Sequence, residues 1–422
     1  MANAFNKQET VAFEQILEGF EDQLVLSNLA SKYETDQAMM ERSNDIIWRP
    51  QPYIATSYDG PDQTNNFKDS TQLCVPATIG FHKSSPWFMT ERELRDALQE
   101  KRLGKAAKEK LASDINVALM NVATRYGTLV IKRTVAASGF DDVAQIDAIM
   151  NEQGIPSSER YLALSTRDYN GMASNLASRS FMGNKVEKAY TNGYVGNISG
   201  FETYKLDYAN PLTAAAGGGA LTMSTLDGGG NFYTPAATTV ATTGESSNVD
   251  NRFQTVTLSS TTNVALGDAF TVAGLYNVHP ITKSSTGQLK TFRVISIPSA
   301  TTLVISPPIV TAQGATNAEV IYQNCAILTK ASNSAIVFLN TVTASQNVFW
   351  HKDAIEILPG RLALPSDSGV AVMRGTTSNG IELVMSKSVD INTFKTKFRV
   401  DVLFGVVNKQ PEMSGIILFS QT

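Results

Sequence analysis

Between Asn210 and Ser345 the sequence reads as a small all-β unit set into a body of another kind, and this constrains the fold more than any other feature. From Asn210 to Val249 the only charged residues are Asp227 and Glu245, and the glycine triplets Gly217 to Gly219 and Gly228 to Gly230 interrupt any helix. From Phe253 onward short strands follow one another. Val256 and Leu258 alternate with Thr255 and Thr257, and further strands are expected at Ala269 to Val272, Phe292 to Ile297, Leu303 to Ile305 and Val320 to Tyr322. Gly267-Asp268, Thr286-Gly287 and Pro307-Pro308 supply turns between them. Short strands at this spacing predict a small all-β domain. Mixed sequence flanks it on both sides, so it reads as an insertion.

The flanking body alternates helix and strand signals, which is α+β in character. Phe13, Ile16, Leu17, Phe20 and Leu24 recur at spacings of three and four and share one face of a first helix. Glu9, Glu14, Glu18 and Glu21 take its other positions. The apolar face could dock on its own domain or on a neighbouring subunit. Ser43 to Gly80 is polar, with Pro50, Pro52, Pro61 and Pro76 and scattered Trp48, Tyr53, Tyr58 and Phe67. It is too long for an ordinary connection and reads as an extended two-stranded arm.

Thr90 to Tyr126 carries the strongest helical signal. Thr90 and Glu93 make a capping box. Gly104 is expected to break the helix, after which Leu111, Ile115, Leu119, Val122 and Tyr126 form one stripe. Gly127 suits a left-handed cap. Lys105 to Tyr126 would span roughly 33 Å at about 1.5 Å per residue. A strand at Leu129 to Ile131, a helix from Asp141 to Gln153, a strand at Tyr161 to Leu164 and a short helix near Arg167 follow. Beyond Ser345, strands are expected at Val348 to Trp350, Ile355 to Leu358, Val370 to Met373 and Ile381 to Met385, with Asn379-Gly380 as a hairpin turn. Phe398 to Val407 reads as a long strand interrupted at Gly405, and Ile416 to Phe419 as the last.

The chemistry-bearing residues point away from catalysis. His82, His279 and His351 are the three histidines, and none has a second ligand at metal spacing. Gly196 to Gly200 resembles a nucleophile elbow loosely, with Ser199 one place late. The glycine triplets precede no phosphate-loop lysine and read as linker. Asp141 and Asp142 fit a helix start. Lys101, Arg102, Lys105, Lys108 and Lys110 interleave with Glu93, Asp96, Glu100 and Glu109, as on a solvated helix face; contact with DNA or an acidic partner is the sharper alternative. The net charge of −4 lacks the positive excess of a chain that wraps nucleic acid. Cys74 and Cys325 lie far apart and read as free thiols of a reducing compartment. No signal peptide or membrane span is visible. Charged residues make up only 18% of the 422, which suits a surface buried against copies of itself, although a β-rich chain full of Thr, Ser, Asn and Ala gives the same figure. No catalytic residue, cofactor or metal is expected.

A series of segments, in order along nearly the whole chain, resembles the coat protein of the P-twenty-two-like short-tailed phages, a branch of the HK-ninety-seven capsid fold. They are Arg42-Ser43 with Ile47-Trp48 and Pro50; Leu94-Arg95-Asp96; Gly127 with Leu129 to Ile131; Gly200-Phe201; Asp250 to Phe253 with Thr255 to Ser259; Gly267-Asp268 with Ala273-Gly274; Asn347 to Trp350 with Asp353 to Ile355; and Gly405-Val406 with Pro411-Glu412. Pro211 to Gly244 departs most.

The resemblance implies an α+β capsid fold with an N-terminal arm (1–42), an extended E-loop (43–80), a spine helix and peripheral domain (81–135), an axial domain (136–210), an inserted β-barrel (211–345) and a return to the axial and peripheral domains (346–422). It implies a major capsid protein that self-assembles as pentamers and hexamers around a scaffolding protein, meets a portal protein, and encloses double-stranded DNA without sequence-specific contacts. The virion would be built in the host cytoplasm, and the shell would expand as DNA enters. Glu14 and Glu18 are implied scaffold contacts. Glu245, Asp250, Asn251 and Arg252 are implied contacts between capsomers, and Tyr58, Asp59, Phe67 and Lys68 are contacts of the E-loop. Gly104 is the expected hinge. A β-rich decoration or receptor-binding protein is the alternative, and it leaves the long helix unexplained.

Overall fold

The computed structural model describes residues 7–33, 46–52, 54–90, 93, 97–178, 184–217, 221–224, 232–312, 316–327, 333–363 and 370–422. Arg42, Ser43, Tyr53, Leu94, Arg95, Asp96, Asp227 and Gly228 to Gly230 lie outside them. The chain divides into two compact units, each drawn from distant stretches of sequence. The first holds Met1–Ile47, Ala77–Asn121 and Ile355–Val407; the second holds Trp48–Pro76, Val122–Ala354 and Asn408–Thr422.

In the first unit, helix α1 (Lys7–Gln23) lies on a six-stranded sheet. The long strand Lys395–Asn408 organises that sheet, pairing antiparallel with Phe81–Met89 and with Glu382–Asp390. Trp87 stacks on Phe398 and Phe81 on Phe404, with ring centroids 5.7 and 5.3 Å apart. These cross-strand aromatic pairs lock the register. The strand runs straight through Gly405, so the expected interruption is absent. A Cβ at Gly405 would sit 2.3 Å from the Thr78 carbonyl oxygen, so the glycine is there for a close approach of chains. At the Asn379-Gly380 turn, Gly380 takes φ +79° and Thr377 N donates to Ile381 O at 3.0 Å to close it, as the sequence predicted.

The apolar face of α1 docks on its own unit. Phe13, Ile16, Phe20 and Leu24 are buried, and a Cβ at Gly375 would meet the Leu17 and Phe13 side chains. Glu9, expected on the solvent side, is buried and pairs with Lys387 at 2.5 Å. Helix α2 (Ala97–Tyr126) passes through Gly104 without a break, which corrects the expectation drawn from that glycine. Ile16 Cδ1 would lie 2.6 Å from a Cβ there. Gly104 therefore makes room for α1. Ahead of α2, the Thr90 amide and hydroxyl both donate to Glu93, at 2.8 and 3.0 Å.

The last turn of α2, from Val122, belongs to the second unit. Gly127 donates to Ala123 but is not left-handed, contrary to the expected cap. A Cβ there would sit 2.8 Å from the Ala123 oxygen and 3.1 Å from Gly415 Cα, so crowding excludes any other residue. A six-stranded sheet runs in the order Leu129–Lys132, Ser414–Leu418, Asn347–His351, Arg160–Ser165, Phe201–Leu206, Asn197–Ile198. Helices α3 (Phe140–Glu152) and α4 (Thr166–Ala177) bury Val143, Ile146, Met150, Tyr169 and Met172 against Leu162, Leu164, Phe349 and Ile417. Asp142 caps α3 by accepting from Ser138 N (2.7 Å) and Gly139 N (3.2 Å), and pairs with Arg133 (2.7 Å). A fifth helix, α5 (Asn184–Asn192), had no clear sequence signal.

The inserted segment is a closed barrel. Its strand order is Thr222–Ser224, Asn333–Phe338, Ala269–Val278, Ser285–Ser296, Thr302–Ser306, Gln254–Thr257, with Cys325–Ile327 also on Ala269–Val278. Met223 bridges Leu258, and Ser259 N donates to Thr222 O at 2.9 Å, which joins the two ends. Closure removes the unpaired edges. Val256, Phe270, Val272, Phe292, Val294 and Ile305 fill the interior. Where a strand was expected at Val320 to Tyr322, the chain forms helix α6 (Asn317–Ile321). The Thr316 hydroxyl accepts from Glu319 N and starts it.

Candidate functional site

Among the described residues, no group of three or more His, Cys, Asp or Glu could hold a metal ion, and no helix is long and apolar enough to cross a membrane. His279 Nδ1 accepts from the Ile281 and Thr282 amides and so shapes a turn. Burial holds the His351 imidazole below its usual pKa, against the pull of Asp353. Burial pushes the Cys325 thiol up to about 12, which leaves it inert. Cys74 and Cys325 are both free.

Several exposed loops and turns carry large apolar side chains. Strands Ile46–Pro50 and Cys74–Thr78 pair at the base of the arm, but the described residues between them contain no strand. Local side-chain bonds replace the expected ladder. Asp62 accepts from both the amide and the hydroxyl of Thr64, and Gln63 donates to Gly60 O at 2.6 Å. Short polar side chains of this kind compete with strand pairing. Tyr58, Asp59, Phe67 and Lys68 are all exposed, Phe67 by 87%. In the first unit, the turn joining Glu382–Asp390 to Lys395–Asn408 carries Ile391 and Phe394, 83% and 67% exposed. Phe394 has φ +50°, a strained setting for an aromatic residue. This tip carries no sequence signal, because a turn of mixed residues resembles any other.

The segment expected to reach between capsomers divides in two. Thr238–Val240 and Ser246–Asn248 form an exposed hairpin that carries Glu245 beside Gly244. Asn251 and Arg252 are buried instead, a correction to the expectation that they face a neighbour. Asn251 accepts from Tyr233 Oη (2.9 Å) and Ala236 N (3.2 Å) and donates to Ala236 O and Val249 O, which pins the hairpin base. Arg252 grips Asp250 through two bonds of 2.9 and 2.7 Å, donates to Asn408 O at 2.9 Å, and lies over the Phe253 ring. Their polar chemistry is consumed within the chain. Glu14 and Glu18 are exposed on the side of α1 away from its docked face.

A family model described as P22 coat protein - gene protein 5 matches residues 1–420. The chain belongs to the P22 coat protein family. This coat protein is a major capsid protein that assembles with copies of itself into the shell of a phage particle. Its structure is similar to those of Mycobacterium phage Che8 (10% identity, 94% of this chain and 91% of that chain, TM-score 0.45) and the capsid of cyanophage P-SCSP1u (11%, 93% and 87%, 0.46). The CUS-3 coat protein I-domain matches at 37% identity over 29% of this chain and 96% of its own, with TM-score 0.22.

Proposed function

We propose that this coat protein assembles around an internal scaffolding protein into a precursor shell, which incorporates a portal protein and expands as double-stranded DNA enters. It does so in the host cytoplasm, as a structural subunit without catalytic activity. The family match over residues 1–420 carries the reading. Its physical support is the placing of large apolar side chains on projecting tips, Phe67 on the arm and Ile391 and Phe394 on the hairpin. Exposed apolar surface of this kind is expected where a partner covers it, and a closed lattice supplies partners for every copy. Many weak contacts engaged together then give a stable shell.

Within this reading, Tyr58, Asp59, Phe67 and Lys68 meet a neighbouring subunit, and Glu245 with its hairpin reaches across to the next capsomer. Glu14 and Glu18 present carboxylates to a basic segment of the scaffolding protein. Gly104 is the proposed hinge of expansion, although Ile16 already accounts for the missing side chain. Packaged DNA needs no sequence-specific contact.

Co-expression with the scaffolding protein and negative-stain microscopy test the proposal. Uniform closed shells are expected. Glu14→Lys with Glu18→Lys should abolish scaffold-dependent assembly and leave the melting temperature unchanged. Particles that stay monomeric or trimeric under every assembly condition would overturn it. Cryo-EM of precursor and expanded shells tests the hinge, and identical α2 paths at Gly104 would remove it.

A further inference from the structure

The inserted barrel holds the arm from which Tyr58 and Phe67 project. The returning limb of the arm runs past α6, and each end of that helix donates one hydrogen bond to it. Asn317 Nδ2, on the first residue of α6, donates to Asp69 O at 2.6 Å. Tyr322 Oη, on the residue that caps its other end, donates to Thr71 O at 2.8 Å. The two acceptors are alternate residues, and alternate carbonyls of an extended chain point to the same side. A helix whose two ends reach carbonyls spaced in this way acts as a two-point clamp.

Further bonds hold the base of the same limb. Gln72 Nε2 donates to Gln51 O at 2.6 Å and so ties the outgoing and returning limbs together. Gln51 Nε2 in turn donates to Lys409 O at 3.0 Å. Cys74 bridges Asp250, the residue gripped by Arg252. Helix α6 is itself fixed to the barrel: Lys283 donates to Ile321 O, and Thr234 bonds Glu319. From Asp69 toward the tip the described arm residues are largely exposed, and Asp62, Gln63, Thr64 and Asn66 hydrogen-bond within the arm itself. The direction of the tip is therefore set at its root.

We infer that α6 aims the arm, with Asn317 and Tyr322 as positioning residues for the contact that Phe67 makes with a second copy of this chain. The inference rests on the reading of the arm as an intersubunit contact. It gives the barrel a role in assembly apart from its exposed hairpin. Both side chains act through carbonyls of the arm. Their removal should change the freedom of residues 54–72 more than it changes the stability of either unit.

The test uses the full chain with Tyr322→Phe, Asn317→Ala, the double variant, and Phe67→Ser as a separate probe of the arm. Tryptic cleavage after Lys68, followed by mass spectrometry, reports the freedom of the arm. Each hydrogen bond removed should raise the cleavage rate about 5-fold, and the double variant more, at an unchanged melting temperature. Scaffold-assisted assembly of the double variant should be slower and should give a wider spread of particle sizes. Wild-type cleavage and uniform shells in both Tyr322→Phe and the double variant would overturn the inference. Phe67→Ser separates the two readings. If it assembles like wild type, the arm contact itself fails. If it blocks assembly while the α6 variants remain normal, only the aiming role fails.

Discussion

Replacing Gly104 with alanine should loosen α1 without weakening α2, and the size of the effect follows from one distance. The added Cβ would lie 2.6 Å from Ile16 Cδ1, while Ile16 is only 8% exposed and has little room to withdraw. Overpacking of this kind costs about 1–3 kcal/mol. Alanine favours the helix over glycine by about 0.5–1 kcal/mol, but that gain is present whether α1 is docked or not. The undocking free energy of α1 should therefore fall by the overpacking cost alone. Hydrogen exchange of α1 amides reads that free energy directly, and the exchange rates should rise roughly 5- to 150-fold. Ile16→Val removes Cδ1 and costs about 0.5–1.5 kcal/mol by itself. In that background Gly104→Ala should add nothing further. The decisive comparison is thus a coupling between the two positions. Equal effects of Gly104→Ala in both backgrounds, or no effect in wild type, would refute the seating of Ile16 on Gly104.

Arg252→Ala should destabilise the second unit by about 2–4 kcal/mol, because it leaves Asp250 without its partner. The loss should appear as a lower melting temperature and poorer soluble yield, whereas a pure assembly defect in a fully stable protein would contradict its burial. Burial lowers Lys283 from the usual 10.5 to about 8, so the folded state disfavours its charge. The unfolded chain then binds more protons between about pH 8 and 10.5, and the Lys283 contribution to stability rises with pH across that window. The difference in melting temperature between wild type and Lys283→Met should shift in favour of wild type from pH 7 to pH 10, and a constant difference would exclude the effect. A disulfide-exchange reagent at pH 8 should titrate no more than one thiol in the native protein and two in urea, since Cys325 is fully buried; rapid modification of both in the native state would contradict this.

Periodicity made the layered parts of the fold legible. The helices and strands around Val143, Leu162, Phe349 and Ile417 bury continuous apolar faces, and such faces leave a clear pattern. The glycines were harder to interpret. Gly104, Gly127 and Gly405 read as a break, a left-handed cap and an interruption, yet each marks a close approach by a segment remote in sequence. A lone chain of letters does not show what will lie against a missing Cβ. The apolar residues Val320 and Ile321 suggested a strand, and the Thr316 cap decided for a helix. At the candidate contacts, exposure was legible for Glu14, Tyr58 and Phe67, which sit among polar neighbours. Asn251 and Arg252 look equally polar in sequence, and only the fold reveals that Val249, Ala236, Asp250 and Asn408 take up their donors.

The pairing of Phe81–Met89 with Lys395–Asn408 has a consequence for synthesis. The first of these strands leaves the ribosome long before the second exists. The roughly 300 residues between them take roughly 15–60 s to translate at about 5–20 residues per second. Throughout that interval Trp87 and Phe81 lack the rings they stack on, and a strand edge with no mate invites the wrong one. The barrel, encoded wholly within the gap, has all its strands while the N-terminal strand still waits. Production of this protein in a foreign host should therefore be limited by crowding among nascent chains, and slower initiation or lower temperature should raise the yield of soluble subunits.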